Sequence, residues 1–449
     1  MTGMETFSLL YPHASQAPQE EPAEAELSQL SELEADLIFA RMSGALRFQP
    51  NTKHPLSFYT RSEEVIQYRL DIMEDLLNHE SLFELLVQLV PELENMKALQ
   101  SVRTDHHSTD TASDLYSIAE LEIYLECITR LYDFFHKQAS SFQSEGIRSF
   151  ASKIKSIYEG KQFQTLKQET AGLTHSIRRV KSITVGINLD AQLRPVEAGV
   201  VAIHDQEFKS GSIIDKLLRA ELKQDEFTCL APLQYVRRGI TPDQAARFHH
   251  AVNSTLHQVF KSSLKSWRPA ALAYLKANSA FLVQRLDELR FLLGGAAFLK
   301  QLEQEGVPIC KPKVACREER TFQVKGFYHP GLIIKRKPGA EEEAILPVIL
   351  NDLEFDERGM IYILTGPNQG GKSVFTQAVG IVQLMFQLGF YVPAQSAVIS
   401  PVDHIFTHFQ NRESDEHSYG RFGEECQRLT DIFSKITNQS LLLMDETFS

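Results

Sequence analysis

One short stretch constrains this chain more than any other: Thr365-Gly366-Pro367-Asn368-Gln369-Gly370-Gly371-Lys372-Ser373. It fits the pattern G-x-x-x-x-G-K-[ST] and lies between an apolar run, Met360 to Leu364, and an apolar helical run, Val374 to Leu388. A strand delivers such a loop, glycines let backbone N–H groups close around phosphate oxygens, and the helix N-terminus adds its positive dipole end. Gly366, Pro367, Asn368, Gln369, Gly370 and Gly371 are therefore the expected phosphate cradle. Lys372 is the expected cation for the outer phosphates, and Ser373 a hydroxyl ligand for Mg2+. An ordinary Gly-rich turn does not need the flanking strand and helix. The residues predict a nucleoside triphosphate site.

Downstream, Leu441-Leu442-Leu443-Met444 is a short apolar run ending in Asp445-Glu446. A strand ending in carboxylates is common, but after a phosphate loop, with strand and helix patterns between, it acquires a chemical role. Asp445 is expected to support Mg2+, often through water, and Glu446 to orient or deprotonate the attacking water. A sheet of this kind needs more strands after that one to bury its faces. With Ser449 as the last residue given, the expectation is a fragment or a truncated reading frame.

Several stretches resemble the MutS family of DNA mismatch-repair ATPases. Pro367-Asn368 inside the loop and Gly370-Gly371 before the lysine carry the likeness, as do Tyr391-Val392-Pro393-Ala394-Gln395 and Asp403-His404-Ile405-Phe406-Thr407. His329-Pro330 and Asn351-Asp352 match the family's approach to its ATPase domain, and Phe58-Tyr59 through Glu74-Asp75-Leu76 is similar to the start of its helical core. The resemblance implies a multidomain fold: a mainly α-helical core and lever domain with a small β insert, then an incomplete α/β P-loop ATPase domain of ABC type. It also implies ATP and Mg2+ as ligands, double-stranded DNA (mismatched, branched or distorted) as partner, and a homodimer. Coupling of ATP binding and hydrolysis to DNA recognition in repair or recombination follows. The alternatives are a nucleotide-binding module without hydrolysis and a transport- or condensation-type ATPase. The last predicts an L-S-G-G-Q helix start, which this sequence lacks.

The chain departs from the family at three places. Mismatch-reading members carry an N-terminal domain that wedges a Phe beside the mispair; the stretch given ahead of residue 28 is too short for one, so classical mismatch recognition is not expected of it. Phe355-Asp356-Glu357 and Phe422-Gly423-Glu424 repeat the F-x-E triplet in the wrong context. Where relatives have a Ser-containing loop that reaches the partner's nucleotide, this chain has Ser418-Tyr419-Gly420-Arg421-Phe422, so Ser418 or Arg421 is the expected contact, or the loop is simply polar surface. Finally, Val348 stands where many relatives place an aromatic against adenine. Stacking contributes about 1 kcal/mol, so ATP and GTP are expected to bind within about tenfold of one another.

Along the chain, residues 1–27 read as a flexible lead-in with a short apolar-aromatic piece, Phe7 to Tyr11. Residues 28–315 read as the helical domain and 316–449 as the ATPase domain. Ser62, with Glu64 in the first turn, opens a helix with an apolar face at Val65-Ile66, Leu70, Met73 and Leu76-Leu77. Leu115 to Phe135 is a further helix. Near 183–208 the period changes to alternation and predicts a hairpin, and helix returns from Pro242 to about Leu302. The net charge of −12 argues against a large nucleic-acid footprint, although Arg178-Arg179 with Lys181, Arg237-Arg238 and Lys261 to Arg268 are local basic clusters. Five scattered cysteines suit a reducing cytoplasm, and no apolar stretch reaches membrane-spanning length.

Overall fold

A computed structural model describes residues 7–16, 31–46, 48, 53–105, 111–138, 141–178, 181–193, 195–207, 271–275, 278–336, 347–355, 359–367, 370–409 and 421–445. Helices dominate: α1 (Ala35–Ala45), α2 (Glu63–Asn78), α3 (Glu80–Asp105), α4 (Thr111–Lys137), α5 (Glu145–Tyr158), α6 (Lys161–Arg178), α7 (Leu286–Gln304), α8 (Gly331–Ile334), α9 (Lys372–Leu388) and α10 (Arg421–Lys435). The strands are β1 (Ser182–Leu189), β2 (Pro195–His204), β3 (Lys313–Val314), β4 (Phe322–Phe327), β5 (Asn351–Phe355), β6 (Ser396–Ile399), β7 (Ile405–His408) and β8 (Leu441–Met444). The chain divides into two compact units. One comprises Met1–Glu94, Leu131–Ile154 and Phe281–Ser449, the other Asn95–Arg130 and Lys155–Ala280.

The second unit is built on helices whose apolar faces meet around Leu121, Tyr124, Ile128 and Leu275, all buried. The Tyr124 and Tyr274 rings meet edge-on at 6.0 Å. Gln100 Nε2 donates to Glu120 Oε1 at 2.8 Å and to Ser279 Oγ at 3.1 Å, which satisfies a polar group inside that packing. β1 and β2 pair antiparallel with a register shift between Thr184 and Val185, where the alternating pattern predicts a hairpin.

The first unit holds the sheets. Four strands lie in the order β3-β6-β4-β5, with β4 antiparallel to both neighbours and β3 parallel to β6; β7 and β8 form a separate parallel pair. α2 opens as its sequence predicts, with the Ser62 hydroxyl accepting the Val65 N–H at 3.4 Å and two glutamates in the first turn. α9 is buried from Ala378 to Leu388. Two polar side chains within that run find partners: Gln387 Nε2 donates to the carbonyls of Thr60 and Val402, and Gln383 Nε2 donates to the Ser400 carbonyl.

Two stretches differ from what the sequence predicts, and the compact units are drawn differently from the expected domains. Phe7 to Tyr11 is no flexible lead-in: Leu9, Leu10 and Tyr11 are buried, and Phe7 stacks on Phe150 at 5.8 Å. Burying those apolar side chains outweighs the entropy of ordering the segment. The boundary at 315 does not divide the compact units, because α7 packs on α1 and α2 in the same unit as the sheets. Phe291 bridges the two sides, 4.5 Å from the Phe58 ring and 4.7 Å from the Phe390 ring. Met360 to Leu364, expected as the strand delivering the phosphate loop, lies in no ladder among the described residues, and Ile361 and Ile363 are 87% and 86% exposed. A strand enters a sheet only when a neighbour offers a complementary row of N–H and C=O groups. β5 comes close to it through a side chain, not a ladder: the Tyr362 hydroxyl donates to the Glu354 carbonyl at 2.5 Å, and the Tyr362 and Phe355 rings are 5.1 Å apart.

Candidate nucleotide site

The phosphate loop closes at the N-terminus of α9. Gly371, at φ +83°, occupies the left-handed region that lets the chain turn from loop to helix without a Cβ clash. The Gly370 N–H bonds to the Pro367 carbonyl at 3.1 Å, and the Phe375 N–H to the Gly371 carbonyl at 2.9 Å. Lys372 Nζ folds back onto the loop, donating to the carbonyls of Gly366 at 3.1 Å and Pro367 at 3.0 Å. Ser373 is exposed in the first turn of the helix. Gly366, Pro367, Gly370, Gly371 and Lys372 border a cavity of about 790 Å³, and Val348 lines the same cavity.

Asp445 follows β8, and its N–H bonds to the His408 carbonyl at the end of β7 at 2.9 Å, extending the parallel pairing by one step. The turn before β8 is fastened by Asp403. Burial works to raise the pKa of that carboxyl, but hydrogen bonds from Ser440, Thr437 and the His404 N–H overcome it and hold the value below the usual range. Asp445 and Lys372 line a second cavity of about 860 Å³, together with the apolar segment Met360 to Leu364. The fold thus brings the lysine of the loop and the carboxylate of the apolar strand to one space. Asn368, Gln369, Ser418 and Glu446 lie outside the described residues, and Arg421 heads α10 with its side chain outside them.

Two histidines near the site stay neutral. His329 has its pKa lowered chiefly by burial. Its Nε2 lies 3.2 Å from the Leu33 carbonyl, which can only accept, and its Nδ1 accepts the Gly331 N–H at 3.0 Å, so the proton belongs on Nε2. The pKa of His408 is lowered by burial and then by the Arg428 guanidinium.

Sequence reasoning missed the segment Glu32 to Glu34, which sits against the phosphate-loop helix. Gln377 Nε2 donates to the Glu32 carbonyl at 2.9 Å, and Lys335 reaches the Glu34 carboxylate at 2.6 Å. A Cβ added at Gly380 would come within 2.7 Å of both Leu33 and Leu443, so that glycine permits the close approach. The glutamines of α9, polar positions inside an apolar run, were the one signal that backbone groups press on this helix.

Comparison with known proteins fits this geometry. A model of the MutS2 N-terminal domain matches residues 61–305, more than half of the chain. The chain belongs to the MutS family. A model of MutS domain V matches residues 362–448, which include both the phosphate loop and the Asp445 strand. The chain is 35% identical over 179 residues to the DNA mismatch repair protein MutS of Chlorobium phaeobacteroides, covering 39% of this chain and 19% of that protein. It is also 35% identical over 134 residues to the protein of the same name from Chlorobium chlorochromatii, covering 30% and 15%. The matched stretches thus span less than a fifth of either MutS relative's length. No described helix is long and apolar enough to cross a membrane.

Proposed function

We propose that this MutS-family chain binds MgATP and couples its binding and hydrolysis to recognition of mismatched, branched or distorted double-stranded DNA, as a homodimer in the cytoplasm. The observation that carries the reading is that Lys372, at the loop, and Asp445, at the end of β8, face one cavity. Gly366 to Ser373 cradle the phosphates, and Val348 borders the base. Asp445 and the Ser373 hydroxyl are hard oxygen donors suited to Mg2+. When bound, that ion would neutralise charge on the phosphates. Glu446 orients water, and Ser418 or Arg421 reaches the partner's nucleotide. Residues 316–449 form the ATPase portion of the chain. ATP shifts the molecule between DNA-holding and DNA-releasing states by binding one of them better.

One observation favours a second reading, nucleotide binding without turnover: Met360 to Leu364 is outside any ladder among the described residues. Titration of the full chain with ATP and with GTP, calorimetrically, tests the first step. Wild type is expected to bind both within about tenfold of one another. Lys372→Ala, which among the described residues removes hydrogen bonds to loop carbonyls alone, should lose binding while its circular dichroism is unchanged. Equal affinity in the variant would remove the nucleotide site from this loop. Phosphate release then separates turnover from binding alone.

A further inference from the structure

Glu32 touches three elements that the nucleotide reading requires to be in register. Its carbonyl accepts from Gln377 on α9 at 2.9 Å. Its Oε1 accepts from Arg428 Nη2 on α10 at 2.5 Å, and its Oε2 accepts the Phe409 N–H, just past β7, at 3.3 Å. Arg428 also donates to the Thr407 carbonyl in β7 at 3.0 Å. The ion pair is largely shielded, with side-chain exposures of 12% for Glu32 and 27% for Arg428. The Leu33 side chain next to it closes on Gly380 of α9, and Leu443 of β8 meets the same glycine. One short segment therefore ties the helix that carries Lys372 and Ser373 to the β7–β8 pair that carries Asp445.

We propose that Glu32 is a positioning residue for the nucleotide site, setting the register of the α9 N-terminus against Asp445 without touching the nucleotide. The proposal rests on the MgATP reading above. Its specific consequence concerns the metal. Mg2+ needs near-ideal octahedral geometry and so is sensitive to the separation of its donors, whereas phosphate contacts from the loop are local to Gly366 to Lys372. Loosening the brace should cost the metal-dependent part of affinity and spare the rest.

The test compares ATP binding with Mg2+ and with EDTA in the full chain. Glu32→Gln, close to isosteric, removes the charge that pairs with Arg428. It is expected to lose about tenfold of the affinity that Mg2+ adds, with metal-free binding changed less than about twofold. The charge-exchanged double variant, Glu32→Arg with Arg428→Glu, should recover part of that loss. An equal drop in both conditions means a general structural role and overturns the proposal, as does a full Mg2+ gain in the variant. Hydrogen exchange without nucleotide gives an independent readout: the Phe409 amide should exchange about tenfold faster in Glu32→Gln. Unchanged exchange there refutes the brace. Wild type that binds no nucleotide, with the faster exchange still seen in the variant, would instead sink the nucleotide reading and leave the brace as a packing device only, which also overturns the positioning role.

Discussion

Arg69 offers the sharpest test of how the phosphate-loop helix is held. It is fully buried, and its Nε donates to the Leu10 carbonyl at 2.9 Å. Its Nη1 donates to the carbonyl of Phe58 and, at 3.3 Å, to that of Leu388 in the last turn of α9. The guanidinium lies 4.8 Å from the centroid of the Tyr11 ring. Burial lowers its pKa from 12.5 to about 10, so it stays a cation at neutral pH at a cost of about 3 kcal/mol. Replacing it with Met removes that cost. It also strands three buried carbonyls, at about 1–3 kcal/mol each, and a cation–π contact of up to about 2 kcal/mol. At mid-range the orphaned acceptors, about 6 kcal/mol together, outweigh the burial cost of about 3, and the net loss expected for Arg69→Met is about 2–5 kcal/mol. A chain of two compact units need not give one unfolding midpoint, so the assay is local. Amides at Gly389 and Phe390, which cap α9 through the carbonyls of Phe386 and Met385, should exchange roughly 30- to 5000-fold faster. Arg69→Lys keeps the charge but not the fork and should fall between. A change below about threefold in Arg69→Met would show that the guanidinium does not hold the helix end, and the argument from stranded carbonyls would fail.

Gly380→Ala should cost about 1–3 kcal/mol through overpacking against Leu33 and Leu443, read as faster hydrogen exchange of the buried α9 amides, and Leu33→Ala in the same chain should restore part of it. No rescue would mean that the two segments are not in contact. Acid should weaken the fold through His329 and His408. Both have lowered pKa values when folded, so below about pH 6.5 the unfolded chain takes up protons that the folded chain refuses. Their contribution is complete above that pH and shrinks as pH falls toward the folded values. Opening of the amides beside the two imidazoles, read by hydrogen exchange corrected for its intrinsic pH dependence, should become easier between about pH 7.5 and 5.5, and less so in a variant carrying His329→Asn and His408→Gln; identical pH profiles would refute the assignment.

What the sequence made legible is chemistry carried by neighbours in the chain. Ser62 caps a helix because its acceptor reach spans one turn, and the 183–208 alternation pairs as a hairpin because its partners are close along the backbone. The turn from phosphate loop to helix was readable for the same reason: Gly371 and Lys372 make their contacts within the motif. Composition misled at Phe7 to Tyr11, because a Pro/Ala/Glu-rich stretch beside an apolar piece says nothing of the surface that piece will cover. Met360 to Leu364 misled in the opposite direction. Its β-branched and aromatic residues describe a strand well, yet a strand is a relation between two segments, and propensity reads only one of them.

Glu32 was illegible for the same reason carried further. Its partners Gln377, Phe409 and Arg428 lie 345, 377 and 396 positions away, and no periodicity or spacing rule spans such distances. A motif names the atoms that can meet a phosphate or a metal. Whether they meet depends on what clamps the elements carrying them. In this chain the clamps are a buried arginine at one end of α9 and an acidic segment along its side, each from a part of the sequence that the motif does not include. Substitutions far from the loop in sequence are therefore expected to alter the site as strongly as substitutions beside it. Position in the fold decides their effect.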